Sequence, residues 1–331
     1  MRLLLTGVTG NVGSHTLPAL LDAGHGVRCL VQDTPRQRRA ARRLRRAVSA
    51  GRPGPAPELA WGDVRDADTV LRACAGVDAV VHLAAVIPPT SEERPGYAEE
   101  VNVDGTANVV AACLARSGRP RLLFVSTLDV HGTTLHNPPP RHVDDPLVAT
   151  NEYTAHKIRC EAMVRDSGLE WCILRLADVP VLGLRDPHPI MFDIGLDNRI
   201  EAVHADDVGT ALANALLTPQ VWGRVLFVGG GPSCQLTYRE YLARIMVAMG
   251  LRPLPEEAFS TAVYATDWLD TEESERLLRY QRHEFDDIVA AIAAALGWRR
   301  RLVGVAGPFA RSALLRMSPH YRRGPAAAPP E

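Results

Sequence analysis

The run Thr6-Gly7-Val8-Thr9-Gly10-Asn11-Val12-Gly13 closes a short apolar stretch at 2–5 and opens a helix-length amphipathic stretch at 15–23. Glycines at these spacings permit a tight turn, let the backbone approach a pyrophosphate, and let a helix pack closely on a strand. The unsatisfied N–H groups at the start of the following helix carry partial positive charge and attract an anion. A glycine pattern alone is a weak signal, but one set between a strand and a helix predicts dinucleotide binding. Its candidate contacts are Gly7, Thr9, Gly10, Asn11, Val12 and Gly13.

Outward from this turn, apolar runs at 3–5, 27–31, 59–61, 79–83 and 122–125 alternate with helical stretches at 15–23, 36–48, 67–74 and 99–117. The alternation continues with a helix at 151–167, a strand at 171–176, a helix at 206–217 and a strand at 225–228. Short strands apolar on both faces, separated by helices, predict an α/β chain with a doubly wound parallel sheet. Residues 1–178 and 200–230 supply that sheet, while 179–199 and 231–315 form a smaller, mostly helical C-terminal lobe. The lobe would cover the carboxyl ends of the strands, where open sheets bind ligands. The proline- and alanine-rich end, 316–331, is expected to be disordered.

Composition excludes more than it selects. A net charge of −1 over 331 residues argues against nucleic acid or an anionic membrane as a partner. No uncharged stretch is long enough to cross a bilayer, and the chain opens directly in a strand, so a cytoplasmic protein is expected. Six scattered cysteines without a Cys-x-x-Cys pair read as reduced thiols, and no His, Asp or Cys spacing predicts a metal. The arginine run 36–46 reads as a solvated helix face, or as a helix whose first turn, at Arg36, meets a cofactor phosphate.

Lys157 is the only lysine among 37 basic residues, and it stands four positions after Tyr153. That spacing puts both side chains on one helix face. Moving a hydride to or from carbon requires a proton to move at the attached oxygen. A tyrosine does this near neutrality only if its pKa falls about 3 units, or roughly 4 kcal/mol of preferential stabilisation of the phenolate. A neighbouring ammonium can contribute to that. Thr127, at the end of the preceding strand, is placed to hydrogen-bond the same substrate oxygen.

The TGxxGxxG spacing resembles the extended short-chain dehydrogenase/reductase family, also called the NAD-dependent epimerase/dehydratase family. Further matching stretches run from Gly62-Asp63-Val64 and His82-Leu83-Ala84-Ala85 to Tyr153-x-x-x-Lys157, Arg175 and Val203-His-Ala-Asp-Asp-Val208. The resemblance covers the chain from Met1 to about Gly250 and implies a Rossmann fold. It implies that Asp63 and Val64 contact adenine, that Leu83, Ala84 and Ala85 line the cofactor, and that Lys157 also binds the nicotinamide ribose. Asn102 would help organise the proton relay; His82 and His131 read as packed, hydrogen-bonded histidines, although His131 stands where many relatives carry a tyrosine facing the substrate. Relatives pair the helices at 99–117 and 151–167 across a homodimer.

For the cofactor, Asp33 lies at the distance of a ribose-binding acid, yet Val31-Gln32 replaces the acid that NAD-using relatives carry at the strand end. With Arg36, Arg38 and Arg39 following, this favours NADP(H) over NAD(H). Asp206 and Asp207 are expected to cap their helix.

Departures from family patterns bear on the reaction. Nucleotide-sugar dehydratases carry Thr-Asp-Glu where this chain has Thr127-Leu128-Asp129, and leucine cannot protonate a leaving hydroxyl. Epimerases begin their nucleotide grip with an asparagine, where this chain has Asp178. The expectation is therefore a carbonyl reductase or alcohol dehydrogenase on a small or apolar substrate. Ile87, Asp129, His131, Asp178 and Met191 would face that substrate, with 179–184 adding to an apolar wall. An NAD-dependent nucleotide-sugar epimerase is the alternative, and a non-catalytic dinucleotide-binding regulator the alternative from another class.

Overall fold

Seven parallel strands stand where the short apolar runs predict them: β1 (Arg2–Thr6), β2 (Gly26–Val31), β3 (Glu58–Trp61), β4 (Ala79–His82), β5 (Arg121–Thr127) and β6 (Trp171–Leu176) come first. After β7 (Arg199–Glu201), which leaves this sheet, β8 (Arg224–Val228) completes it in the order β3-β2-β1-β4-β5-β6-β8. The order reverses between β1 and β4, opening a crevice at their carboxyl ends. This computed structural model describes all residues except 53, 184–186, 299–302, 304–306 and 322–331.

The strands alternate their side chains between two cores because the pleat has period two. Leu3 and Leu5 pack with Leu17, Leu20, Leu212 and Leu216, from α1 (Asn11–Asp22) and the later helix Ala205–Leu217. Leu4 points the other way, into a core with Val80, Val109, Leu122, Phe124 and Ile173. Helices α2 (Pro35–Ser49) and α3 (Ala67–Ala73) connect the next strands. After β4 come α4 (Thr90–Glu93) and α5 (Pro95–Glu99), then a π-helical turn, Glu100–Asp104, leading into α6 (Gly105–Leu114). The single long helix expected at 99–117 is thus split by that turn and ends early. Next are α7 (Glu152–Arg165) and α8 (Ala205–Leu217).

β7 pairs antiparallel with β9 (Gln235–Thr237), so residues 199–201 join the lobe and not the main sheet. The lobe adds α9 (Tyr238–Ala248), α10 (Glu272–Leu278), α11 (Phe285–Leu296) and α12 (Gly307–Met317). The expectation of disorder from 316 needs correction. Leu314 and Leu315 pack with Phe192 and Phe259, and Ser318 Oγ donates to the Ala258 carbonyl at 2.5 Å, tying the chain down past α12. The rest of that stretch, 322–331, lies outside the described residues. Among the described residues no helix is long and apolar enough to cross a membrane. All six cysteines are free and buried.

Candidate active site

The glycine turn works by close approach. Gly7 has φ +72°, and a Cβ there would fall 2.8 Å from the Ala84 nitrogen; one at Gly13 would fall 2.2 Å from the Gly7 carbonyl oxygen. Only hydrogen at these positions lets the turn, the start of α1 and the loop after β4 converge. The Thr6 hydroxyl accepts from the Leu83 and Ala84 N–H groups, both at 3.1 Å. A cavity of about 250 Å³ opens there, lined by Gly7, Gly10, Gln32, Gln37, Ala84 and Tyr97, among others. A cradle of this kind fits a dinucleotide.

Of the residues expected at the cofactor, Thr9, Val64, Leu83 and Ala85 also line this cavity. Val12 and Gly13 belong to the first turn of α1, and the Asn11 amide donates to the Val179 carbonyl at 2.9 Å, tying the turn to the loop after β6. Asp63 sits behind the lining, accepting from Gln32 Nε2 at 3.1 Å and from Arg65. Asp33 is exposed and paired with Arg38, which lies 5.0 Å over the Trp61 ring; Arg36 is exposed on α2 and outside the lining. Gln37 and Tyr97 were not found from sequence. Tyr97 arrives from α5, a segment whose pattern carries no nucleotide signal.

Tyr153 and Lys157 are carried by α7, whose first turn is held twice. Asn151 and Thr154 form a capping box, and the Glu92 carboxylate accepts the N–H groups of Glu152 and Tyr153, each at 3.2 Å. Tyr153 is 8% and Lys157 5% exposed. Lys157 Nζ donates to the Val125 carbonyl at 2.8 Å and lies 4.8 Å from the Phe124 ring centroid and 5.9 Å from that of Tyr153. Burial lowers this ammonium to about 8. Burial, reinforced by the Asp129 charge, holds the Tyr153 phenol above its ordinary value, against a hydrogen bond with Thr127. Desolvation thus outweighs the acidifying influence that the Tyr/Lys spacing predicts.

The Asn102 side chain bonds the loop after β4. Its Oδ1 accepts from the Val86 N–H at 2.7 Å and its Nδ2 donates to the Val86 carbonyl at 2.9 Å, so both groups are spent on the loop that walls the cavity. His82 bonds Thr6 Oγ1 at 2.7 Å and Thr106 Oγ1 at 3.1 Å, and burial lowers it to about 3, as fits a packed neutral ring.

Asp129 stands two residues after Thr127, with its N–H on the Thr127 hydroxyl at 3.2 Å. Burial and then the Asp178 charge push its carboxyl up to about 7. Asp178 accepts from Tyr241 Oη at 2.6 Å, which links the end of β6 to α9. His131 does not face the substrate side: Arg175 Nη1 donates to its Nε2 at 3.0 Å and its Nδ1 lies 3.2 Å from the Pro146 carbonyl, leaving neither nitrogen for a ligand. Met191 packs in the lobe core, and Ile87 is 54% exposed, so neither forms the closed apolar wall expected of them. Residue 184 of that wall lies outside the described residues.

The helix α8 is capped by His204, whose Nδ1 accepts the Asp206 N–H at 3.2 Å, and not by the two aspartates. Asp206 pairs with His15 at 2.6 Å, and the buried Asp207 accepts from His283 Nδ1 at 2.7 Å. This brings ligand-capable atoms of His204, Asp206 and His283 within 4.8 Å of one another, a grouping that sequence spacing does not show. The two rings stack at 4.0 Å with only 16° between their planes. Near-parallel rings cannot both aim an in-plane lone pair at one ion, so we assign no metal here.

Comparison with known proteins places these features in context. The model of the NAD dependent epimerase/dehydratase family matches residues 3–190. UDP-glucose 4-epimerase of Azospirillum brasilense is 35% identical over 170 residues, 50% of this chain but 44% of its own length, so this chain spans under half of that relative. The dTDP-glucose 4,6-dehydratase of Streptomyces antibioticus is 29% identical over 91% of this chain and 92% of its own. Among solved structures, a double mutant of DesIV, the dTDP-glucose 4,6-dehydratase of Streptomyces venezuelae, crystallised with NAD, superposes with a TM-score of 0.75 at 26% identity. That match covers 91% of this chain and 98% of the other.

Proposed function

The chain belongs to the NAD dependent epimerase/dehydratase family, and from that premise we propose that it oxidises and re-reduces a secondary alcohol of a nucleotide-linked sugar. The reading rests on Tyr153 and Lys157 sharing one buried face of α7 beside Thr127, at the same carboxyl ends of the strands as the glycine-turn cavity, whose lining does not itself include the pair. The relatives act on nucleotide sugars, which supports the epimerase reading over the small-ketone reductase that sequence departures favoured. Leu128, buried at 5% exposure, occupies the place where dehydratases carry an acid, so epimerisation is preferred to loss of water.

NAD is the cofactor this reading takes, in place of the NADP(H) favoured from sequence. The solved relative holds NAD. At the adenosine end Arg38 is engaged by Asp33 and Trp61, and neither Arg36 nor Arg39 lines the cavity, which supports NAD over a cofactor with an extra phosphate. NAD, when bound, supplies the carbon that accepts and returns hydride. Gly7, Gly10, Gln32 and Ala84 would hold it. Tyr153 Oη takes the substrate hydroxyl proton while Thr127 Oγ1 hydrogen-bonds the same oxygen. Lys157 stabilises the phenolate electrostatically, and Asp129 and Asp178 orient the sugar. A keto sugar that turns over before Tyr153 returns the proton is released as the epimer.

Denaturing the purified protein and identifying the released nucleotide tests the cofactor, and proton NMR of UDP- and dTDP-hexoses incubated with it tests the reaction. Stoichiometric NAD and interconversion of two epimers are expected. Weakly held NADPH with net reduction of free ketones would replace this reading by the reductase. A tightly held dinucleotide with no turnover of any of these compounds would point to the regulator.

A further inference from the structure

Apart from Gln37, which lines the cofactor cavity, the arginine-rich helix α2 takes no part in the site described above. Its seven arginines come with no acid in the same helix, so the remainder of a chain of net charge −1 carries −8. Whole-chain charge therefore conceals a concentrated positive strip. Ala41, Leu44 and Val48 face the sheet and hold the helix in place. Arg38 is engaged by Asp33 and Trp61, whereas Arg36, Arg39, Arg42, Arg43, Arg45 and Arg46 are exposed and have no ion pair among the described residues. At 100° per residue, positions 36, 39, 42, 43 and 46 fall within an arc of about 120°, along a helix of roughly 22 Å. Like charges at these i, i+3 and i+4 spacings oppose helix formation, and among the described residues no carboxylate pairs with them.

We infer that this strip binds the phosphate backbone of a nucleic acid duplex without regard to sequence. The exposed positions between the arginines are alanines, Ala40 and Ala47. A membrane-surface helix needs a large apolar face, and a stable protein interface needs apolar or aromatic anchors. Phosphate binding needs neither, because release of condensed counterions drives it and guanidinium forks match phosphate oxygens. Single strands are gripped by stacking bases on aromatic rings. Among the described residues the ring in contact with the strip, Trp61, is covered by Arg38 at 5.0 Å and Arg42 at 5.9 Å, which selects the duplex.

Fluorescence anisotropy of a labelled 20-base-pair duplex with the full chain tests this. We expect binding at 50 mM salt that weakens steeply by 200 mM, with two unrelated sequences agreeing within about twofold. The triple variant Arg39→Gln, Arg43→Gln, Arg46→Gln should bind at least about tenfold more weakly and lower the salt slope by about 2 to 3, while keeping its melting temperature and NAD content. Arg276→Gln, an exposed arginine on α10, should change nothing. Absence of binding at 50 mM salt, an unaltered triple variant, or equal affinity for a single strand or for anionic vesicles would each overturn the proposal.

Discussion

In the proposed reaction Tyr153 loses a proton in surroundings that hold its phenol above the ordinary range, through burial and the charge of Asp129. The ammonium four residues on is therefore needed in its charged form. Burial places Lys157 at about 8, so turnover should fall as pH rises through that value, and a rate profile that stays flat to pH 10 would remove Lys157 from this role. Tyr153→Phe should retain nucleotide while losing about 10²- to 10⁴-fold in turnover, measured by epimer formation. Asp129 titrates in the opposite sense to a salt-bridged acid. Its folded pKa of about 7 lies above the usual carboxylate value, so the advantage of its protonated form is complete below about pH 4 and is lost as pH rises through 7. Asp129→Asn should accordingly raise the melting temperature at pH 8, by up to about 4 kcal/mol in stability, and change it little at pH 4. The sequence shows each of these residues and the spacing of the dyad. It does not show the sign of the phenol's environment, because desolvation comes from elements far along the chain.

At the scale of elements, α7 matters most because it carries both dyad residues, and its entry is fixed from outside by Glu92 of α4. A carboxylate at the positive end of a helix stabilises it electrostatically as well as by accepting orphan N–H groups. Glu92→Ala should lower stability by about 1 kcal/mol in urea unfolding and reduce turnover, with Glu92→Gln recovering much of both. Deeper in the same helix, Glu161 makes a two-armed bond to Arg175 of β6, at 2.9 and 2.7 Å, with both side chains 1% exposed. Glu161→Ala strands a guanidinium in the core and should cost about 3 to 5 kcal/mol, seen as a large drop in urea midpoint. Neither contact is legible in the sequence. Nothing in the local pattern marks Glu92 as a cap for a distant helix, and of the two readings His131 carries, packed or substrate-facing, the Arg175 bond to its ring agrees with the first. The strands and most helices were legible, since period and capping chemistry are local, whereas the split at Glu100–Asp104 was not.

The whole molecule places a sheet with one reversal of strand order beneath a lobe of mixed helices, and the chain crosses between them at 178 and 202, where Asp178 and Ala202 bridge. Doubly wound topology was readable because alternation of strand and helix leaves few arrangements for buried parallel strands. The lobe was not, because its helices pack through long-range contacts such as Ser318 to Ala258 that no local pattern announces. By analogy with the helix pairing that the family resemblance implies, α6 and α7 should join two copies, and light scattering should return twice the 36.0 kDa of one chain; a monomer would end that expectation. The solitary lysine has a practical corollary. Apart from the terminal amine beside His25, the chain offers an acylating or methylating reagent a single primary amine, and in the proposed reading that one, buried at 5% exposure, adjoins the hydride-transfer chamber. Mass added at Lys157 would therefore serve as a one-signal footprint, whose suppression by a dinucleotide reports occupancy of the chamber directly.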